Sequence, residues 1–260
     1  MMIKPKTNMT ISGDIVNQLL GLTSEHIYFL TKDDFTDKET VNDKTRKQTQ
    51  LSPKSNIGIH HQMLTAFKAL SLSAKKAGLE LKIASGFRSF DRQLHIWNNK
   101  FIGKTAIKKA NGEVVDISLM SDWQIIEAIL LYSALPGASR HHWGCDIDVY
   151  APNLLEDNQT LQLEPWEYAP SGPMEKLSYW LTENAEEHGF YLPYDSFRGG
   201  IAAEPWHLSY APIAKQYQSK FCVDLLRELI LQTDIAGKET IIENLLKVFK
   251  HYINNVNNPL

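Results

Sequence analysis

The chain of 260 residues has a formal net charge of -3, with 43% hydrophobic and 22% charged residues. That balance is ordinary for a protein with a packed core, and it gives no reason to expect nucleic acid or an anionic membrane as partner. No run of about 18 apolar residues occurs, so no bilayer-spanning helix is expected.

The first ten residues include Lys4 and Lys6, and the segment after them is interrupted by polar side chains. It lacks the roughly 7–15-residue apolar core of a secretory signal, so the sequence as it stands predicts a cytoplasmic chain; with a leader it would be periplasmic. Two cysteines, Cys145 and Cys222, form no C-x-x-C and no disulfide framework, and a bond between them is left open. Residues 1–55 read as a partly irregular N-terminal extension, with short apolar pieces at 15–22 and 26–30. Residues 32–50 are so polar that an exposed loop is expected.

A helix is expected over 58–76, where Met63, Phe67, Leu70 and Ala74 recur at helical spacing and Gly78 is a stop. Residues 79–84 alternate Leu79, Leu81 and Ile83 with Glu80 and Lys82, the period of a half-buried strand. Ser85-Gly86-Phe87-Arg88-Ser89 is a turn, and Ser89 caps a helix over 90–101. After a polar connection at 103–119, a helix is expected over 123–133, capped by Ser121 or Asp122. Strands are expected at 145–149, 190–192 and 205–210, a proline-containing insertion at 153–171, and a helix over 173–187 stopped by Gly189. Two final helices are expected over 214–232 and 238–254. Few strands, not in regular strand–helix–strand units, predict an α+β fold: a small antiparallel sheet flanked by helices, with additional C-terminal helices.

Two stretches concentrate the chemistry: Ser139-Arg140-His141-His142-Trp143-Gly144-Cys145-Asp146-Ile147-Asp148 and Glu204-Pro205-Trp206-His207. On a strand, Asp146 and Asp148 face the same way, opposite Ile147 and Val149. Two carboxylates on one face imply solvent, a cation or a hydrogen-bond donor. Glu204 and His207 share a site only if the chain bends at Pro205, because positions i and i+3 of a strand point to opposite faces. Two imidazoles and a carboxylate form a three-point set for zinc that leaves a position for water, and a nearby glutamate supplies a base. Spacing alone leaves open whether these residues are a metal site or a polar strand edge.

Ser139-x-His141-x-x-Gly144-x-x-x-Asp148 followed by Glu204-x-Trp206-His207-x-x-Tyr210, with Ser85-Gly86-Phe87-Arg88-Ser89 and Gln93 upstream, resembles the zinc D-Ala-D-Ala carboxypeptidase and dipeptidase family. This VanY-like family belongs to the group that includes lysostaphin-type peptidases and hedgehog domains. The resemblance covers roughly residues 56–212. It implies one zinc per chain held by His141, Asp148 and His207, Glu204 as catalytic base, and Arg88 facing the substrate carboxylate or the developing oxyanion. It also implies that Ser139 and Gln93 bind the C-terminal end of the substrate.

The expected function is zinc-dependent hydrolysis of a peptidoglycan-derived or D-Ala-D-Ala-containing peptide by a carboxypeptidase. The competing expectation is a non-catalytic zinc-containing peptidoglycan-binding module of the same fold. Asp146 departs from the family, which usually has a small residue there; its role is left between the metal, a metal ligand and a substrate amine. Residues 56–212 are expected to form the zinc peptidase domain, and 213–260 a helical extension packed on it. The segments at 103–119 and 153–171 are candidate lids.

Overall fold

The computed structural model describes residues 13–31, 34 and 57–258. Most of the polar loop expected at 32–50 lies outside the described residues. At the centre is a four-stranded antiparallel sheet in the order β3-β4-β6-β5, made of β3 (Lys82–Ser85), β4 (Asp146–Tyr150), β6 (His207–Tyr210) and β5 (Phe190–Tyr191). Around it lie α1 (Gly13–Leu19), α2 (Leu64–Lys76), α3 (Phe90–Phe101), α4 (Asp122–Leu130), α5 (Pro165–Tyr168) and α6 (Glu175–Asn184). The chain ends in α7 (Ala211–Gln218), α8 (Val223–Leu231) and α9 (Lys238–Val248). This is the α+β architecture expected from the sequence. No described helix is long and apolar enough to cross a membrane.

β4 lies between β3 and β6, and its first four residues are buried. Ile147 and Val149 enter the apolar core on one face, while Asp146 and Asp148 occupy the other. The ladder with β6 pairs Asp148 with His207 and Asp146 with Ser209. Directly paired residues project to the same side of a sheet, so four polar side chains meet on that face.

Local signals account for several helix ends. The Ser89 side chain accepts from the Arg92 N–H and starts α3, and Ser121 with Gln124 forms a capping box on α4. The last helices join the same apolar core through Leu226, Leu229, Ile241 and Leu245. Polar locks reinforce them: Trp97 Nε1 donates to the Ala236 carbonyl, and the Asn98 side chain accepts from the Ala236 N–H.

Three expectations change. Residues 58–60 are not helical but form strand β2 (Gly58–His60), paired with β1 (Ile27–Phe29), and α2 begins only at Leu64. Gly58 makes this pairing possible, since a Cβ there would stand 2.5 Å from the Ile27 side chain. The single helix expected over 214–232 is two, α7 and α8, separated at residues 219–222. Phe221 stacks on Phe249 at that break, and α8 turns to bury Leu225, Leu226, Leu229 and Ile230. Burial there outweighs continued helix propensity. The final helix ends its α-helical part at Val248 and continues as a π-turn over Phe249–Ile253.

Candidate metal centre

The short 3₁₀ turn Arg140–Trp143 delivers His141, and Gly144 ends it at φ 70°. A Cβ at Gly144 would meet the Ile27 side chain at 2.3 Å and the His60 backbone nitrogen at 3.0 Å. Glycine therefore serves both the left-handed conformation and the close passage of β2. The turn is laced to the 85–89 segment. The Arg88 N–H donates to the His141 carbonyl (3.1 Å), and His142 Nδ1–H donates to the Arg88 carbonyl (2.6 Å). His142 Nε2 accepts from the Gly137 N–H, so this fully buried imidazole pins the two motifs together.

Glu204 and His207 do meet, because the chain bends between them. The His207 N–H donates to the Glu204 carbonyl at 3.0 Å, closing a four-residue turn with Pro205 in its second position. Glu204 Oε2 then lies 3.5 Å from His207 Nδ1.

His141, Asp148 and His207 offer ligand atoms that all lie within 4.8 Å of one another. His141 Nε2 is 3.4 Å from Asp148 Oδ2, and His207 Nδ1 is 3.1 Å from Asp148 Oδ1. Ligands bound tetrahedrally at zinc-like distances stand about 3.3 Å apart. Asp148 Oδ1 and His207 Nδ1 are buried without a hydrogen-bond partner, a costly arrangement that a shared cation relieves.

The other ring nitrogens are already committed. His141 Nδ1–H donates to the Gly86 carbonyl at 3.0 Å, which leaves the Nε2 lone pair for a metal. His207 Nε2–H donates to Asp146 Oδ1 at 3.0 Å, which leaves Nδ1. The residues present therefore fit a divalent ion, in donor type and in tautomer.

Asp146 is fully buried beneath His207. It also accepts from Arg140 Nε (2.7 Å), Ser209 Oγ (3.0 Å) and Cys145 Sγ (3.3 Å). Arg140 in turn donates to Tyr191 Oη and Ser209 Oγ and lies over the Trp143 ring at 4.7 Å. Asp146 thus orients a candidate metal-ligand histidine, an arrangement that matches the second of the three roles left open by the sequence. The sequence does not single out Arg140, Ser209 or Tyr191. Their only signal is that Asp146 needs a counter-charge.

The electrostatics follow from this packing. Burial pushes Asp146 and Asp148 up, but Arg140 and His207 for the first, and the two histidines for the second, hold both carboxyls well below the usual range. Burial lowers His207, but the two aspartates outweigh it and raise it to about 10. Burial, with Asp148 adding to it, raises Glu204 to about 8 against the pull of His207 and Arg88. Burial pushes the Cys145 thiol up, so it is an inert packing group, and both cysteines are free.

A cavity of about 350 Å³ opens onto these groups, lined by Arg88, Lys100, Ser139, His141, Asp148 and Glu204, among others. Lys108 from the 103–119 connection and Glu164 from the 153–171 insertion form an ion pair at its rim. Trp206 walls it, whereas Trp143 packs away from it, with Nε1 donating to the Leu19 carbonyl.

Gln93 departs from its expected place. It is completely buried, accepts from Arg88 Nη1 at 2.9 Å and donates to the Ala134 carbonyl at 2.7 Å. It stands behind Arg88 rather than at the cavity wall. Arg88 is further held by Ser85 Oγ at 3.2 Å.

Among curated proteins, the chain is similar to an uncharacterized protein of Haemophilus influenzae (strain ATCC 51907 / DSM 11121 / KW20 / Rd). The two are 38% identical over 121 residues, 46% of this chain and 92% of that one. It is 30% identical over 156 residues to the putative carboxypeptidase YodJ of Bacillus subtilis (strain 168), which spans 58% of this chain and 46% of YodJ. Of solved structures, VanYB in complex with D-alanine-D-alanine has a TM-score of 0.44 at 22% identity, covering 74% of this chain and 93% of that chain. The LdcB LD-carboxypeptidase has a TM-score of 0.44 at 22% identity, covering 79% and 77%. The model of the VanY family, described as D-alanyl-D-alanine carboxypeptidase, matches residues 56–213. That span runs from β2 through β6 and includes all three candidate ligands, Glu204 and Arg88, and the chain belongs to the VanY D-alanyl-D-alanine carboxypeptidase family.

Proposed function

We propose that the chain is a zinc-dependent carboxypeptidase that releases a C-terminal D-amino acid from peptidoglycan-derived peptides, D-Ala-D-Ala ends above all. One observation carries this reading: His141, Asp148 and His207 converge with two orphaned ligand atoms, and Glu204 stands within 3.5 Å of the third ligand.

Bound there, a zinc ion supplies acidified water and polarises the scissile carbonyl. His141, Asp148 and His207 would hold it. Glu204 takes the proton from the attacking water and passes it to the leaving amine, so its carboxylate alternates between base and acid. Its buried place by the cavity favours holding a proton between the two steps. The Arg88 guanidinium, fixed by Gln93 and Ser85, donates to the carbonyl oxygen as that atom gains charge. Ser139 is buried in the cavity wall, and its role in this reading is to hydrogen-bond the backbone at the C-terminal end of the substrate.

The test is a panel of D-Ala-D-Ala, stem tetrapeptide, pentapeptide and cross-linked muropeptide, read by mass spectrometry with zinc-loaded and chelator-stripped protein. Loss of one terminal D-amino acid, only in the loaded protein, is the expected result. Undiminished cleavage after complete metal removal would overturn the reading, as would cleavage of none of the panel.

A further inference from the structure

Four lysine or arginine cations line the cavity, and they differ in what answers their charge: Arg140 is paired with Asp146. Lys108 has a carboxylate partner in Glu164. Arg88 has neutral side-chain partners, Gln93 and Ser85. Lys100, in the last turn of α3, has no carboxylate within ion-pair distance among the described residues. Its Nζ donates once, to Ser133 Oγ at 2.7 Å, and Ser133 also lines the cavity. An ammonium has three donors, so two are left for a ligand of the cavity that Lys100 lines. Burial and the nearby Arg88 charge both push Lys100 below the usual lysine range, which marks a cation short of an anion.

The reaction proposed above brings two acceptors into this cavity: the carbonyl oxygen that gains charge, and the free carboxylate at the peptide's end. Arg88 is tied by its backbone to His141 and feels the charges of Asp148 and Glu204, so it belongs to the first. Lys100 lies seven residues after Gln93, two helical turns along the same side of α3, and feels Arg88, Glu204 and Lys108. It belongs to the second.

We propose that Lys100 and Ser133 form the subsite that reads the substrate's free C-terminal carboxylate, making the enzyme an exopeptidase. The carboxylate replaces Ser133 as the acceptor of the Lys100 ammonium, and the Ser133 hydroxyl turns to donate to it. A backbone amide at the same place, as in an uncut chain, offers no charge to answer the lysine. This inference rests on the peptidase reading above.

The experiment compares kcat/KM for a peptide ending in D-Ala-D-Ala and for its C-terminal amide, using zinc-loaded wild type, Lys100→Met and Lys100→Arg. Calorimetric binding of both peptides in a Glu204→Gln background is a second readout. Wild type should prefer the acid. Lys100→Met should lose about 10- to 100-fold on the acid, mainly through KM, the loss of one charged hydrogen bond. Its loss on the amide should be much smaller, and Lys100→Arg should recover part of the preference.

A Lys100→Met protein that keeps the full acid preference would overturn the proposal. So would an equal loss on both peptides in a variant that melts at the wild-type temperature and binds zinc at wild-type stoichiometry. Wild type that cleaves neither peptide would overturn the peptidase reading and this inference with it.

Discussion

Asp146 accepts from His207 Nε2 at 3.0 Å while the opposite nitrogen of the same ring faces Asp148 at 3.1 Å. One imidazole is thus gripped from behind by a carboxylate that is itself neutralised by Arg140. Removing the grip should cost metal before it costs chemistry. Asp146→Asn is expected to weaken zinc binding about 10- to 100-fold, measured by competition with a chromogenic chelator. Removing one partner of a buried pair also costs about 3–5 kcal/mol of stability, so either Asp146→Ala or Arg140→Met alone should lower the melting temperature more than the double substitution does. A double variant less stable than both single variants would refute the pairing.

Glu204→Gln should retain zinc at wild-type stoichiometry and lose about 10²- to 10⁴-fold in kcat. The metal content is the control. If turnover stays near the wild-type value, proton transfer belongs to another group.

Gln93 and Arg88 should behave as one unit. Gln93→Leu removes a hydrogen bond to a charged partner and should lower kcat/KM about 10- to 100-fold. Adding it to Arg88→Ala should change little further, because the group it positions is already gone. Fully additive losses would instead assign Gln93 its own contact with substrate.

The metal-free protein should lose stability as pH rises. His207 goes from an ordinary 6.5 to about 10 on folding and Glu204 from 4.5 to about 8, so the folded state binds protons more tightly at both sites. Their contributions are complete below the unfolded values and disappear as pH climbs through the folded ones, near 8 for Glu204 and 10 for His207. A zinc ion held as proposed would displace the His207 proton, so loading near pH 7 should release protons, seen as a binding enthalpy that changes with buffer. Buffer-independent enthalpy, together with a flat stability profile for the metal-free chain, would contradict this assignment.

Much of the site was legible because sequence period maps directly onto sheet geometry. Asp146 and Asp148, two apart, had to share a face, and the β4–β6 ladder adds His207 and Ser209 to it. Glu204 and His207 looked incompatible with a strand; the turn at Pro205 resolves the parity. Gly58–His60 reads as helix because three residues are too few to show a period, and their strand exists only through Ile27–Phe29. The break between α7 and α8 has no proline or glycine to announce it; Phe221 turns there to reach Phe249. Arg140 and Lys100 give no sign of their role in the sequence, for a common reason. A lysine or arginine on a helical turn normally extends into water, and only the tertiary fold shows that these two are turned inward.

The direct pairing of Asp148 with His207 has a further consequence. Their separation is set by neighbouring backbones in a hydrogen-bonded ladder, like two posts on one rail. A guest ion has to recruit no distant segment for these two contacts and meets only His141 from outside the sheet. Exchange of one divalent ion for another should therefore proceed without refolding. Which ion occupies the site in a cell would then depend more on supply than on any ability of the scaffold to reshape itself around its guest.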